Sequence, residues 1–191
     1  MKNGALVVTT EAGDITAASN NAANVFVQSA NTDWTIDTKL TCSDAPAAPA
    51  QNAGLVAYQD DDNFVKFVYA AQMFRRGGQG SGASLQIVCE DGGNTKATVT
   101  VTPEGIKDNV VWLRLQKKGD TYTAWYSADG KKYVEAGKVE TGLKDIQAGL
   151  VACDGVMPSF GGGFRRGAQA PVEPKPMNAA FEMFKISCSG L

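Results

Sequence analysis

Apolar and polar residues alternate with period two along most of the chain, and this alternation constrains the fold more than any other feature. In DWTIDTKLTC, the residues Trp34, Ile36, Thr38, Leu40 and Cys42 share one face of a predicted strand. Segments rich in Asp, Gly and Lys, such as EDGGN and KKGD, separate about a dozen runs of this kind. The pattern predicts short antiparallel strands that are joined by turns.

The number of predicted strands favours a sandwich or jelly roll of two antiparallel sheets rather than a closed barrel. The chain has 191 residues, which suits one domain with a full hydrophobic core. Two glycine-rich insertions, at about residues 72–84 and 155–177, interrupt the strand pattern. We therefore expect a single all-β domain over residues 1–191 with two long loops.

The composition excludes several classes of function. Histidine is absent, which rules out a Ser-His-Asp triad or a Cys-His pair. The formal net charge of −2 argues against a nucleic-acid partner, because phosphate binding needs a basic face. No apolar run is long enough for a transmembrane segment. No signal peptide is visible, as we expect for a secreted protein without its signal or for a domain of a longer chain.

Four cysteines, Cys42, Cys89, Cys153 and Cys188, lie far apart, each near the end of an apolar run. No C-x-x-C spacing is present, so a zinc site is not predicted. Two interpretations remain open: four buried thiols, or one or two disulfides, for which three pairings exist.

The acidic residues do not form the pattern of a glycosidase. Such enzymes hold two carboxyl groups about 5–10 Å apart across the scissile bond. Here most acidic residues lie in turns, and no closely spaced pair lies in the middle of a strand. We therefore predict no catalytic residue. The Asp60–Asp62 stretch is interpreted as a solvated turn, and a structural calcium site is the alternative.

Two neighbouring strands are predicted to carry aromatic residues on an outer face. In VVWLRLQ and TYTAWYS, the alternation leaves Trp112, Arg114 and Trp125 outside the core. Aromatic faces stack on the apolar side of sugar rings, and planar polar groups reach the hydroxyls. We therefore predict carbohydrate binding at these three residues. The alternatives are a register shifted by one residue, or an insertion that covers the face.

The tetrapeptide Phe-Arg-Arg-Gly occurs once in each insertion, with Arg75 and Arg76 in the first and Arg165 and Arg166 in the second. Guanidinium groups form bidentate bonds to carboxylates. The four arginines are thus further candidate carbohydrate-binding residues, suited to uronic acids, and would equally suit an acidic face on a partner domain. The alternative is a pair of solvated linkers.

Three segments carry a family resemblance: NNAANVFVQSANTDWTIDTKLT, NAGLVAYQDDDNFVKFVY and VWLRLQKKGDTYTAWYSADGKKYVEAG. They resemble the concanavalin A-like domain at the C-terminus of family 43 β-xylosidases. The resemblance extends from about Asn20 to Ser187, without the two insertions. It implies a jelly-roll sandwich with one convex and one concave sheet. In the family this domain is accessory and packs on a five-bladed propeller that carries the catalytic carboxylates.

The resemblance implies a non-catalytic, carbohydrate-associated domain of a bacterial glycoside hydrolase or related secreted, periplasmic or cell-surface protein. Its expected partners are an oligo- or polysaccharide and the catalytic domain of the parent protein. The alternatives are a glycoside hydrolase active in its own right and a module that only packs against other domains. Apart from the calcium alternative, no cofactor is expected.

Overall fold

The computed structural model describes residues 4–16, 20–30, 32–46, 51–71, 83–154 and 175–189. These ranges contain twelve β-strands, at the places where the alternation predicts them, and no helix that is long and apolar enough to cross a membrane. In chain order the strands are β1 (Leu6–Thr9), β2 (Val25–Ser29), β3 (Asp33–Cys42), β4 (Asn52–Asp60), β5 (Asn63–Ala71), β6 (Ala83–Asp91), β7 (Asn94–Val101), β8 (Val110–Lys118), β9 (Thr121–Ser127), β10 (Val134–Glu140), β11 (Gln147–Cys153) and β12 (Asn178–Ser189).

The strands form two six-stranded sheets in which every pair of neighbours is antiparallel. The first sheet has the order β1-β12-β3-β8-β9-β10, and the second has the order β2-β11-β4-β5-β6-β7. The arrangement confirms the prediction of a concanavalin A-like sandwich of two antiparallel sheets.

The core lies between the two sheets and is built from alternate residues of the strands. The predicted inward row of β3, from Trp34 to Cys42, is buried along its whole length. Trp34 and Tyr122 meet edge to face, with ring centroids 6.3 Å apart. These two side chains join β3 to β9 across the middle of the first sheet's inner face.

The pentapeptide AGLVA occurs in both β4 and β11, and the two copies pair with each other in the second sheet. Leu55 lies opposite Leu150 at the centre of the antiparallel register. A Cβ atom on Gly149 would overlap the carbonyl oxygen of Phe26 in the neighbouring β2. Glycine is therefore required where β2 and β11 approach closely.

The outer face of the second sheet is covered by the segment that contains Asp14 and Ile15. Ile15 is completely buried and packs in an apolar cluster with Phe64 and Val68. Asp14 forms an ion pair with Lys66 of β5, and both side chains are buried. On the first sheet, by contrast, the outward-facing residues of β8 remain partly exposed.

All four cysteines are free thiols, so no disulfide bond cross-links the two sheets. Cys42, Cys89 and Cys153 are buried, and burial raises the pKa of Cys42 and of Cys153 to about 12. The interpretation as a buried thiol was wrong for Cys188, which is exposed. The physical reason is that the second half of β12, from Glu182 onward, is largely exposed although its sequence is apolar in part.

Candidate functional site

The register of β8 and β9 brings the predicted outer-face residues together. Arg114 lies directly opposite Trp125, and Trp112 lies opposite Ser127. Leu113, on the other face of β8, is fully buried, as the alternation predicts. Trp112, Arg114 and Trp125 therefore share the outer face of the first sheet, where each is half-buried. The alternative of a register shifted by one residue was wrong.

Arg114 is held in place by two contacts. Its Nε atom donates a hydrogen bond of 2.7 Å to Oδ1 of Asp37, which lies directly opposite on β3. Its guanidinium carbon lies 4.2 Å from the centre of the Tyr133 ring. Together these contacts fix the guanidinium plane. Among the described residues, the Nη groups have no hydrogen-bond partner, so they are free to donate to a ligand.

Tyr133 lies just before β10 and covers the guanidinium group from above. Burial raises the pKa of its hydroxyl, and the negative charge of Asp37 raises that pKa further, while Arg114 opposes the shift. The hydroxyl therefore stays protonated and can donate a hydrogen bond at neutral pH. Asp37, Arg114, Tyr133 and Trp125 together present donors, acceptors and an aromatic surface. We call these four residues the β3–β9 site.

Trp112 is more enclosed than Trp125. The turn between β9 and β10 lies against its indole, since a Cβ atom on Gly130 would lie 2.7 Å from the indole Nε1. On the ring itself, Nζ of Lys39 lies 5.5 Å from the ring centre. Gly130 has a φ of 72°, a backbone conformation that favours glycine at this position of the turn. Among the described residues, no cation or ring stacks on Trp125, which is half-buried on this face.

The sequence reasoning missed Asp37 and Tyr133. Asp37 has the outward parity of β3, but its role depends on the pairing of β3 with β8, which no local pattern shows. Tyr133 lies outside a strand, where alternation carries no information. The signal that could have found Tyr133 is its place in the turn that follows the Trp125 strand.

The carboxylates of this face are not arranged as a catalytic pair. Asp37 is bound to Arg114, and Glu182 is bound to Lys39 at 2.6 Å and to Thr41 at 2.7 Å. These bonds hold the pKa of Glu182 below its usual range and so favour its ionised form. Glu135 is three strands from Asp37, about 14 Å at the usual strand spacing, whereas glycosidases need about 5–10 Å.

The four arginines of the Phe-Arg-Arg-Gly tetrapeptides, Arg75, Arg76, Arg165 and Arg166, lie outside the described residues. The described residues that precede the two segments lie at the same end of the second sheet. Gln51 contacts both: its carbonyl oxygen accepts a bond from the Ala71 N–H, and its side-chain Nε2 donates to Asp154. The chain therefore leaves the sheet for both insertions from positions on either side of β4.

The Asp60–Asp62 stretch forms the β4–β5 hairpin, as predicted. Its carboxylates accept hydrogen bonds from neighbouring groups: Asp60 accepts from Asn63 at 2.7 Å, Asp61 from the Tyr58 hydroxyl, and Asp62 from the Asn20 side chain. Across the described ranges, no three or more acidic, cysteine or histidine side chains are grouped to hold a metal ion. Structural calcium at this turn stays a prediction.

A cleft lies at the edge of the sandwich, between the edge strands β1 and β2. This cleft has a volume of about 610 Å³, and its lining includes Leu6, Phe26, Leu150 and Phe184. Phe26 is 43% exposed, which is high for an aromatic side chain. We call it the edge cleft.

Solved structures share the fold over nearly the whole chain. A protein of unknown function from Saccharomyces cerevisiae is 15% identical with a TM-score of 0.70, over 99% of this chain and 90% of that one. A variant of the GH43 protein BlXynB from Bacillus licheniformis is 19% identical with a TM-score of 0.71, over 97% of this chain and 33% of that one. The carbohydrate-binding module CBM66 from Bacillus subtilis is 14% identical with a TM-score of 0.52, over 97% of this chain and 98% of that one.

These structural matches establish the fold, and the chain spans about a third of the length of BlXynB. No curated protein sequence gives a significant match. The family model of the beta xylosidase C-terminal concanavalin A-like domain matches residues 2–149, which is most of the chain. The match begins before β1 and includes every strand of the β3–β9 site. By this match the chain belongs to the family of C-terminal concanavalin A-like domains of beta xylosidases.

Proposed function

We propose that this chain is a non-catalytic, carbohydrate-binding accessory domain of a secreted bacterial glycoside hydrolase, and that it binds sugar at the β3–β9 site. The observation that carries the proposal is the half-buried Trp125 indole on the outer face, directly beside a guanidinium group that Asp37 and Tyr133 already hold in place. A fixed donor group loses little conformational freedom when a ligand binds.

The chemistry of the site suits a sugar ring. The Trp125 indole offers an apolar surface for the C–H face of the ring. The Nη groups of Arg114 donate hydrogen bonds to ring hydroxyls, and the carboxylate of Asp37 accepts them. Trp112 lies two residues before Arg114 on β8, and its indole lies against the turn that leads to Tyr133. This combination of an aromatic surface with a few oriented polar groups is typical of carbohydrate sites.

The comparisons support the same function. CBM66, which shares the fold, is a carbohydrate-binding module, and this chain covers 33% of the GH43 protein BlXynB. We propose that a catalytic domain in the parent protein supplies the hydrolytic residues. Consistent with this, Asp37 and Glu135 are too far apart for a glycosidase pair.

Purified alone, the chain should not cleave aryl glycosides or xylo-oligosaccharides. Turnover that one Glu→Gln or Asp→Asn change abolishes would overturn the non-catalytic assignment.

The four arginines at positions 75, 76, 165 and 166 are proposed as a second contact, either to an acidic glycan or to the catalytic domain. If these residues serve recognition, their replacement by Ser should leave the free energy of unfolding nearly unchanged. It should weaken binding to one of these partners in a salt-dependent manner. A large loss of stability would mean that the segments are structural.

The test of the proposed function is a glycan array followed by calorimetry on the ligand with the strongest signal. Trp125→Ala should weaken binding by about 1–2 kcal/mol, in line with aromatic contact energies, without lowering the melting temperature. Phe26→Ala is the matched control, since Phe26 is also an exposed aromatic residue but lies in the edge cleft. A blank array, or equal affinities for wild type and Trp125→Ala, would contradict the proposal.

A further inference from the structure

The charges around the β3–β9 site are balanced along one row of the first sheet. Strand pairing places Lys185, Asp37, Arg114, Trp125 and Glu135 side by side on five neighbouring strands. Two of the four charged residues are cations and two are anions, and they alternate in sign. The row has no net charge, although a guanidinium group lies at its centre.

The positive charge of Arg114 is compensated at close range. Oδ1 of Asp37 lies 2.7 Å from Nε, and the Asp37 side chain is 11% exposed, so solvent screens this pair weakly. Lys39, the next cation toward β12, is bound to Glu182. Lys185 is exposed to solvent, where its field is screened. An anionic ligand at Arg114 would therefore gain little net attraction.

The opposite end of the row is negative. Glu135 lies directly opposite Trp125 on β10 and is exposed. A sugar ring that stacks on Trp125 lies between the Glu135 carboxylate and the Arg114–Asp37 pair. A carboxylate on that ring would face the like charge of Glu135 on one side, where such contacts are costly, and on the other side a guanidinium group whose charge Asp37 already compensates.

The polar atoms of the site match adjacent hydroxyl groups. The Nη groups of Arg114 donate, the Asp37 carboxylate accepts, and the protonated Tyr133 hydroxyl does both. A sugar hydroxyl is both donor and acceptor, so two neighbouring hydroxyls can bond to Arg114 and Asp37 together. A uronic acid carboxylate accepts only, and would leave Asp37 facing another anion.

We infer that the β3–β9 site selects neutral sugar rings with vicinal hydroxyls and discriminates against uronic acids. This inference rests on the proposed function, because it assumes that sugar binds at this face. It names the class of ligand for Trp125 and Arg114. It also separates this site from the four arginines of the insertions, for which an acidic glycan or the catalytic domain is the proposed partner.

The test uses two oligosaccharides that are identical except at C6 of the terminal ring, which carries a hydroxymethyl group in one and a carboxylate in the other. Calorimetry on the wild-type chain should give at least about tenfold tighter binding of the neutral member. The preference should grow, not shrink, when the salt concentration is lowered, since repulsion is then screened less.

Two variants test the cause of the preference. Asp37→Asn leaves Arg114 uncompensated, so the neutral-to-acidic preference should fall or invert. Glu135→Gln should lower the same ratio, and because Glu135 is exposed this variant remains informative if Asp37→Asn fails to fold. A preference unchanged in both variants would overturn the inference.

Equal or tighter binding of the acidic oligosaccharide by wild type, strengthened at low salt and lost in Trp125→Ala, would also overturn the inferred ligand class. That result would leave the proposed function standing. Failure of both oligosaccharides and of every glycan on the array to bind would overturn the proposed function, and the inference with it.

Discussion

Replacement of Lys66 by Met would test how the outer face of the second sheet is closed. Nζ of Lys66 lies 2.5 Å from Oδ1 of Asp14, and the two side chains are 3% and 7% exposed. Met keeps much of the apolar stem but leaves the Asp14 carboxylate without its cation. Breaking a buried ion pair in this way costs about 3–5 kcal/mol, a large share of the roughly 5–15 kcal/mol that stabilises a domain.

The assay is urea unfolding followed by Trp fluorescence, with Lys39→Met as the matched control. Lys39 also pairs with a carboxylate, but its side chain and that of Glu182 are 29% and 40% exposed. Breaking this exposed pair should cost no more than about 1 kcal/mol. The double variant Asp14→Asn with Lys66→Met should recover part of the lost stability, because it removes the unpaired charge. Equal losses in Lys66→Met and Lys39→Met would refute the reasoning.

Three further predictions concern single residues. At pH 8 the native chain should react with a thiol reagent at Cys188 alone, because the other three thiols are buried; rapid labelling of a second thiol would contradict this. Gly149→Ala should lower the melting temperature strongly, since the new Cβ would overlap the Phe26 carbonyl oxygen; an unchanged melting curve would be inconsistent with the β2–β11 contact. Hydrogen bonds from the backbone N–H groups of Lys132 and Lys131 lower the pKa of Asp129 from 3.8 to about 2. The carboxylate therefore stabilises the fold fully above about pH 4 and loses that contribution as the pH falls through 2; wild type should lose stability more steeply than Asp129→Asn over this range, and parallel acid-unfolding curves would disprove it.

The alternation of the sequence predicts most of the fold and part of the site. It places Trp112, Arg114 and Trp125 on one outer face because β8 and β9 form a hairpin, so that a local pattern determines their register. The position of Asp37 beside Arg114 could not be predicted in this way, since the two residues are 77 positions apart and the pairing of β3 with β8 is long-range.

The segment with Asp14 and Ile15 that covers the second sheet could not be predicted for the same reason. Asp14 lies 52 residues before Lys66, and neither residue alone shows that it is buried. A charged residue in an otherwise apolar strand, such as Lys66 in NFVKFVYAA, is predicted to face outward into solvent unless its partner is known. Which sheet face stays open to a ligand is thus a tertiary property, and it required the structure.

The central claim is that a sugar binds on the open face of the first sheet. Its most direct test is an NMR titration of the ¹⁵N-labelled chain with the neutral oligosaccharide that the array selects. The account predicts that the Trp125 indole N–H and the Arg114 side-chain N–H signals shift most, while the signals of Lys66 on the covered sheet do not move. Shifts centred on Phe26 and the edge cleft, with Trp125 and Arg114 unchanged, would contradict it.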